Sequence, residues 1–211
     1  MRILIIRTSA MGDIVHCLPV LIALRKALPE ARIAWVVERT FAPLLAGHPD
    51  IDELIPVRTR QWRKQIFAAP VRREIAEARR AMRRFAPDVA LELMGNHKGG
   101  LIARFSGARR IIGAARPFRR EGSSAVWINQ PVEAPGVHAV DKALAILNGL
   151  GLETEPVTPD SAASEPVDSN AVDPNAVDPN AVDSNAVDFG PDKLLAEAPA
   201  DAVELLEGHP P

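Results

Sequence analysis

The candidate chemistry begins with one acidic residue, Asp13, which follows an apolar run at the start of the chain. The run reads RILIIR (2–7), and the stretch that holds the acid reads TSAMGDIVH (8–16). A carboxylate placed where a strand gives way to a helix can accept hydrogen bonds from the first helical amides. It can equally take a proton from an incoming hydroxyl as a general base. The residues alone leave both roles open for Asp13.

The same stretch has features that favour an anion. Ser9 and its neighbouring amides precede a predicted helix, where backbone N–H groups and the helix dipole attract negative charge. Gly12 permits a tight turn or a close approach of a ligand to the backbone. The stretch matches neither GxGxxG nor GxxxxGK[ST], so neither a standard dinucleotide site nor a P-loop is predicted.

A strongly basic segment covers residues 58–84, where ten Lys and Arg face only Glu74 and Glu77. Its start, RTRQWRK (58–64), directly follows a predicted strand, and arginine there suits phosphate or carboxylate capture. We expect Trp62 either to anchor this segment or to stack on a sugar. Most of the later arginines fit a solvated helix face. The ten are Arg58, Arg60, Arg63, Lys64, Arg72, Arg73, Arg79, Arg80, Arg83 and Arg84.

Two further basic loops follow predicted strands. LMGNHKGG (93–100) contains Lys98, and RPFRREG (116–122) contains Arg116, Arg119 and Arg120. The chain lacks a His, Cys, Asp and Glu cluster at ligand spacing, so no metal site is predicted. It also lacks a nucleic-acid recognition motif, which makes nucleic acid the weaker explanation of the basic charge.

The elements that must position these residues alternate between strand-like and helical patterns, which predicts a doubly wound α/β domain with a mainly parallel, Rossmann-like sheet. Ligands of such sheets lie in the crevice outside the carboxyl ends of the strands, so the loops described above are expected to meet there. The predicted strands cover 2–7, 32–38, 53–57, 89–94 and 110–114, and the main helices cover 13–28, 71–85, 98–105 and 138–151.

The charge is divided sharply along the chain. Residues 1–152 hold 24 basic and 13 acidic side chains, and residues 153–211 hold one basic and 14 acidic. The basic part should therefore prefer anionic partners. The single cysteine, Cys17, excludes an internal disulfide and fits a reducing cytoplasm. No apolar run approaches 18 residues, so no transmembrane helix is predicted.

Three regions are predicted along the chain. Residues 1–152 form the Rossmann-like domain. Residues 153–190 form an acidic, low-complexity linker, in which four pentamers of the type VDSNA or VDPNA occupy residues 167–186. This composition buries little apolar surface and predicts an extended, disordered segment. Residues 191–211 could hold a short helix but are too few for a domain.

Four segments in this order resemble the lipopolysaccharide heptosyltransferases over about residues 1–152: MRILIIRTSAMGDIVHCLPV, RQWRKQIFAAP, MGNHKGG and HAVDKALAILNGLG. The closest likeness is to heptosyltransferase I, which adds the first heptose of the inner core. The resemblance implies an inverting, B-type glycosyltransferase with two Rossmann-like domains. This chain would provide the N-terminal, acceptor-binding half, and residues 191–211 would begin the connection to a C-terminal donor-binding half.

The resemblance also implies substrates and location. ADP-heptose would be the donor, Kdo-lipid A the acceptor, and no metal or other cofactor would take part. The enzyme would work in the cytoplasm, peripherally at the inner membrane. Because the donor-binding half is missing from the 211 residues, we expect this chain alone to be inactive. A non-catalytic module that holds anionic glycolipid is the alternative, and a nucleic-acid-binding domain is a weaker one.

The resemblance assigns roles to individual residues. Asp13 would be the general base. Ser9, Ala10 and Gly12 would line the donor's phosphates. Gln61 stands where a further basic residue would be expected. The acceptor's phosphates and carboxylates would be bound by a cationic set: Arg60, Arg63, Lys64, Lys98 and Arg120.

Overall fold

The computed structural model describes residues 1–136 and 138–152. The predicted linker (153–190) and terminal segment (191–211) lie outside the described residues. The strands are β1 (Arg2–Ile6), β2 (Arg32–Glu38), β3 (Glu53–Val57), β4 (Val89–Glu92), β5 (Arg110–Ala114) and β6 (Gln130–Val132). The α-helices are α1 (Met11–Val15), α2 (Leu18–Ala27), α3 (Thr59–Lys64), α4 (Ala69–Phe85), α5 (His97–Ser106) and α6 (Ala139–Ala145). Short 3-10 helices cover Arg39–Leu44, Arg116–Phe118, Gly122–Trp127 and Ile146–Leu150.

The six strands form one sheet in the order β3-β2-β1-β4-β5-β6, and every pairing is parallel. Ile3 of β1 aligns with Ile33 of β2 on one side and with Val89 of β4 on the other. The strand order reverses between β1 and β4, which is where a doubly wound sheet opens a ligand crevice. The predicted doubly wound parallel fold is confirmed.

Both faces of the sheet are covered. Ile3 and Ile5 of β1 pack into one core with residues of α2 and α6, whereas Leu4 and Ile6 pack into a second core with α4 and α5. Successive strand side chains point to opposite faces, so a strand buried on both sides must be apolar throughout. Each such side chain stabilises the fold by about 1.5–3 kcal/mol relative to exposure.

The prediction of one continuous helix over 13–28 is wrong. The structure has two helices, α1 (Met11–Val15) and α2 (Leu18–Ala27), with Cys17 as the N-cap of the second. Pro19 lies in the first turn of α2, where its missing N–H is tolerated. The same missing donor cannot continue a hydrogen-bond ladder from α1, so the helix is interrupted there.

Among the strands and α-helices, α3 and β6 were not predicted. The 58–64 segment, expected as a loop, forms α3, which Trp62 anchors by donating from Nε1 to Oε2 of Glu74 at 3.1 Å. Arg58, the N-cap of α3, forms an ion pair with the same carboxylate. β6 has three residues and contains Pro131, which an edge strand tolerates because its outer side needs no donor.

The last two of the three glycines in the MGNHKGG segment, Gly99 and Gly100, allow α5 to pack closely. A Cβ at Gly100 would lie 2.5 Å from Cβ of Trp127, and one at Gly99 would lie 2.9 Å from Cβ of Met94. Asn96 caps α5 by accepting a hydrogen bond from the Gly99 amide at 2.9 Å. Among the described helices, none combines the length and apolar character needed to cross a bilayer.

Candidate functional site

A pocket of about 270 Å³ lies at the carboxyl ends of β1, β4 and β5. Its polar wall includes Arg7, Asp13, His16, Arg120 and Lys142, while its base includes apolar side chains from the turn after β4. Basic side chains outnumber acidic ones around this space. A concave wall with three cations, the accessible carboxylate of Asp13 and the buried carboxylate of Glu92 suits an anionic, hydroxyl-bearing ligand.

Asp13 makes both of its protein contacts through one oxygen. Its Oδ2 accepts a hydrogen bond from the Ala10 amide at 3.1 Å and lies 2.6 Å from Nη2 of Arg7. Asp13 is the third residue of α1 and reaches back to the N-cap, which is one half of a capping box. Its side chain is 40% exposed. Within the described residues Oδ1 has no hydrogen-bond partner, so it is left for a ligand.

Arg7 holds Asp13 from a fixed position. The carbonyl of Arg7 accepts a hydrogen bond from Nε1 of the fully buried Trp35 at 3.0 Å, and its Nη1 donates to the carbonyl of Leu93. Its Nε is buried and has no partner among the described residues. Arg7 was not among the residues selected from the sequence. The available signal was a cation at the end of the apolar run RILIIR (2–7), next to the stretch that holds Asp13.

Lys98 lies beside the same loop. Its Nζ is 3.4 Å from Oγ of Ser9 and 3.5 Å from Oγ1 of Thr59. Thr59 in turn donates to Oε2 of the buried Glu38 at 2.6 Å. Residues at or just after the carboxyl ends of β1, β2, β3 and β4 therefore meet around one amine. Glu38 was not selected from the sequence, although an acid at the end of an apolar strand was visible there.

Two predicted acceptor-binding residues, Arg60 and Arg63, affect Lys98 electrostatically. Burial lowers the pKa of the Lys98 amine, Glu38 opposes that effect, and the charges of Arg60, Arg7 and Arg63 lower the pKa further. These arginines are therefore near enough to act on Lys98 electrostatically. Arg60 and Arg63 are exposed on α3, so they extend the positive surface outward from the crevice.

The other predicted residues occupy less constrained positions. Ala10 is the N-cap of α1. Gly12, inside α1, is exposed, and no described atom lies within 4 Å of a Cβ built there, so the fold itself does not demand glycine. Lys64 is the exposed last residue of α3, and the structure shows no contact between it and the other predicted residues that are described.

The two adjacent arginines of the RPFRREG loop, Arg119 and Arg120, lie in different environments. Arg119 is fully buried and forms an ion pair with Glu92, with 2.6 Å between Nη2 and Oε2. Its Nε donates to Oγ of Ser124 at 2.8 Å. The other oxygen of Glu92 accepts from two backbone amides after β4 at 3.0 Å each. Arg120, by contrast, is exposed and lines the pocket. Arg119 therefore holds the loop, and Arg120 is available to a ligand.

No group of three His, Cys, Asp or Glu side chains comes together in residues 1–136 and 138–152 in a way that could hold a metal. The expectation that the reaction needs no metal or other cofactor stays a prediction.

The parallel sheet, its strand order and the crevice at the switch point define a Rossmann-like domain of the kind that forms one half of a B-type glycosyltransferase. No family model matches the sequence. Lipopolysaccharide heptosyltransferase 1 of Pseudomonas aeruginosa is 32% identical over 144 residues, which are 67% of this chain and 40% of that protein. Its counterpart in Salmonella typhimurium is 40% identical over 102 residues, 48% of this chain and 32% of that protein.

Solved structures of heptosyltransferases are also similar to this chain. The heptosyltransferase WaaC of E. coli with ADP-2-deoxy-2-fluoro heptose has a TM-score of 0.70 at 29% identity, covering 75% of this chain and 51% of that one. E. coli ADP-heptose lps heptosyltransferase II, at 22% identity and a TM-score of 0.53, shows the shared fold. The chain is a homologue of lipopolysaccharide heptosyltransferase 1, as the sequence predicted, and it spans about half the length or less of these relatives.

Proposed function

We propose that this chain provides the acceptor-binding domain of an inverting heptosyltransferase that transfers heptose from ADP-heptose to Kdo-lipid A. The observation that carries the proposal is the Asp13 carboxylate, which uses one oxygen for protein contacts and keeps the other free at a basic, switch-point pocket. We place the reaction in the cytoplasm, peripherally at the inner membrane. The homologue WaaC has been solved with ADP and with ADP-2-deoxy-2-fluoro heptose, which supports a nucleotide-sugar donor.

The proposed reaction is a single displacement. The acceptor hydroxyl oxygen bonds to the anomeric carbon of heptose while the bond from that carbon to the β-phosphate oxygen breaks. The bonding electron pair leaves with ADP, and attack from the opposite side inverts the anomeric centre. The hydroxyl proton passes to Oδ1 of Asp13, because Oδ2 is occupied by Arg7 and the Ala10 amide. Such a base contributes a rate factor of about 10²–10⁴.

On the donor side, Ser9, Ala10 and Gly12 are proposed to border the phosphates of ADP-heptose. The open space around Gly12 supports this, since a ligand can approach that backbone closely. Lys98 lies 3.4 Å from Oγ of Ser9 and could share the negative charge that develops on the departing diphosphate. We propose that cationic side chains neutralise this charge, with no metal or other cofactor taking part.

On the acceptor side, Arg60, Arg63, Lys64 and Arg120 are proposed to bind phosphates and carboxylates of the acceptor, with Lys98 as a further ligand. Arg60 and Arg63 project from α3 beside the crevice, and Arg120 reaches it from the far side of the pocket. Guanidinium groups pair with such anions through two parallel hydrogen bonds, which orients the acceptor as well as holding it.

Titration of the 211-residue chain with a de-acylated, Kdo-containing glycan tests the proposal. We expect saturable binding that weakens roughly tenfold when Arg60 or Arg63 is changed to Ala, because each removes a charge-assisted hydrogen bond. Asp13→Asn should leave the affinity nearly unchanged, and Arg109→Ala, at the opposite edge of the sheet, is the control. Absence of binding, or equal loss in the control, would contradict the acceptor role. We also expect no appreciable heptose transfer by this chain alone.

A further inference from the structure

The loop between α3 and α4 exposes two apolar side chains to water. Phe67 is 91% exposed, more than any other large apolar side chain of the described residues, and its neighbour Ile66 is 50% exposed. The loop spans residues 65–68, between the end of α3 at Lys64 and the start of α4 at Ala69. A phenylalanine held this far into solvent forgoes the hydrophobic gain of burial, and a partner that covered it would recover that gain.

Four cations flank this apolar tip. Arg63 and Lys64 precede it, Arg72 and Arg73 follow it, and all four are exposed. No acidic residue occurs anywhere from residue 59 to residue 73. We call residues 63–73 the tip patch. Its exposed aromatic and aliphatic side chains, with cations before and after them in the sequence, suit the interfacial layer of an anionic membrane, where apolar groups enter between negatively charged headgroups.

The position of the tip patch connects it to the crevice. α3 follows β3 at the carboxyl edge of the sheet, and its Arg63 is close enough to Lys98 to lower the pKa of that amine. A bilayer surface in contact with the tip patch would therefore lie beside the proposed acceptor site. A second copy of this chain is a poorer occupant, because a two-fold contact would bring two sets of four cations together.

We propose that the tip patch docks this domain on anionic phospholipid, with Phe67 and Ile66 inserted at the level of the headgroups and Arg72 and Arg73 on lipid phosphates, while Arg63 and Lys64 stay with the acceptor's anions. The proposal deepens the proposed function, since it explains how the domain meets a lipid-borne acceptor. Its own test needs no sugar substrate, because ordinary phospholipid carries all the chemistry that the tip patch is proposed to recognise.

Co-sedimentation of the 211-residue chain with vesicles is the first test. We expect binding to phosphatidylcholine vesicles that contain phosphatidylglycerol, and weak binding to phosphatidylcholine alone. Phe67→Ser should weaken binding roughly tenfold, since a buried aromatic ring is lost. The double variant Arg72→Glu and Arg73→Glu should abolish the preference for phosphatidylglycerol. Val126→Ser is the matched apolar control, since Val126 is 76% exposed elsewhere, and Arg109→Glu is the charge control.

A fluorescent label measures insertion directly. A Phe67→Cys variant can be labelled selectively, because Cys17 is buried and burial raises the pKa of its thiol to about 11. A polarity-sensitive dye at position 67 should shift its emission to the blue on adding anionic vesicles, and the same dye in Val126→Cys should not. The proposal is overturned if the two dyes respond alike, or if Phe67→Ser binds vesicles as well as the unchanged chain.

Two further measurements distinguish membrane docking from dimerisation and from binding of the acceptor. Sedimentation velocity without lipid should show the same oligomeric state for the unchanged chain and for Phe67→Ser. Conversion from dimer to monomer in the variant would identify the tip patch as a contact between chains and would overturn membrane docking. Binding of the de-acylated glycan without vesicle binding would overturn membrane docking alone. Vesicle binding without glycan binding would overturn the acceptor role alone.

Discussion

Arg7 and Asp13 form an ion pair at the carboxyl end of β1, with 2.6 Å between Nη2 and Oδ2, and the same oxygen accepts the Ala10 amide. The carboxylate is 40% exposed, so the pair adds little to stability and acts mainly by fixing the side chain. Capping and base catalysis are therefore compatible roles for Asp13, because each uses a different oxygen.

The first prediction separates these two roles of Asp13. In a chimaera that joins residues 1–152 to the C-terminal half of the Pseudomonas aeruginosa relative, Asp13→Asn should lower kcat by about 10²–10⁴-fold. The amide oxygen of Asn still accepts the Ala10 N–H, so the cap and the acceptor KM should change little. Steady-state kinetics of the active chimaera and its variant check this. Turnover retained within a few-fold would show that the carboxylate is only a cap.

The second prediction concerns Lys98 and pH. Because burial lowers its pKa below the ordinary 10.5, the amine loses its charge at a lower pH than a surface lysine. Affinity for the anionic glycan should therefore begin to fall below the usual lysine range as pH rises. Lys98→Arg should remove this fall, since guanidinium stays charged. Calorimetric titrations over a pH series measure both proteins, and identical pH curves would exclude Lys98 from the site.

The lowered pKa of Lys98 also affects stability, in the opposite direction: affinity for the glycan falls as pH rises, whereas the free energy of unfolding rises. The unfolded chain binds the Lys98 proton more tightly than the folded chain, so this group's contribution to the free energy of unfolding rises with pH between the lowered pKa and 10.5. Lys98→Met lacks the titration and should lack this rise. Urea denaturation of both proteins across that window checks it, and parallel profiles would contradict the shift.

The third prediction uses the adjacent pair Arg119 and Arg120. Arg119→Ala should lower the free energy of unfolding by about 3–5 kcal/mol, because it leaves the Glu92 carboxylate buried without its counter-charge. Arg120→Ala should change stability by less than about 0.5 kcal/mol, as exposed positions do, while weakening glycan binding. Denaturant titration together with glycan binding measures both effects. Equal destabilisation by the two variants would contradict this division of roles.

The fourth prediction compares two glycines inside helices. Gly100→Ala should destabilise the fold by about 1–3 kcal/mol, because the new Cβ would collide with Trp127. Gly12→Ala meets no described atom within 4 Å and should leave stability unchanged or raise it by up to about 1 kcal/mol. Thermal unfolding measured by circular dichroism distinguishes them. A Gly12→Ala variant that unfolds more readily than Gly100→Ala would contradict the packing argument.

The elements that could be predicted are those with strong local patterns. The strands 32–38, 53–57 and 110–114 match the observed bounds because short, mainly apolar runs between breaking residues are typical of strands buried in a parallel sheet. The region 13–28 was predicted as one continuous helix because its apolar spacing continues through Pro19, whereas the structure breaks it into two helices. α3 was missed because it has no apolar period and depends on a contact between Trp62 and Glu74, twelve residues apart.

The residues of the candidate site likewise fall into those that were selected from the sequence and those that were missed. Asp13, Lys98 and Arg60 were selected because each follows a predicted strand, and the structure places all three at the carboxyl edge of the sheet. Arg7 and Glu38 were missed because they complete the runs RILIIR and RIAWVVE, which were interpreted as strands and nothing more.

Local pattern and composition were enough to predict the parallel fold, the edge of the sheet at which ligands are expected and the basic character of that edge. The tertiary structure decided which charges are free and which are paired. Arg119 and Arg120 are neighbours in the chain, yet one is buried on Glu92, 27 residues away, and the other faces the pocket. Pairing depends on distances between residues far apart in the chain, and local pattern does not contain those distances.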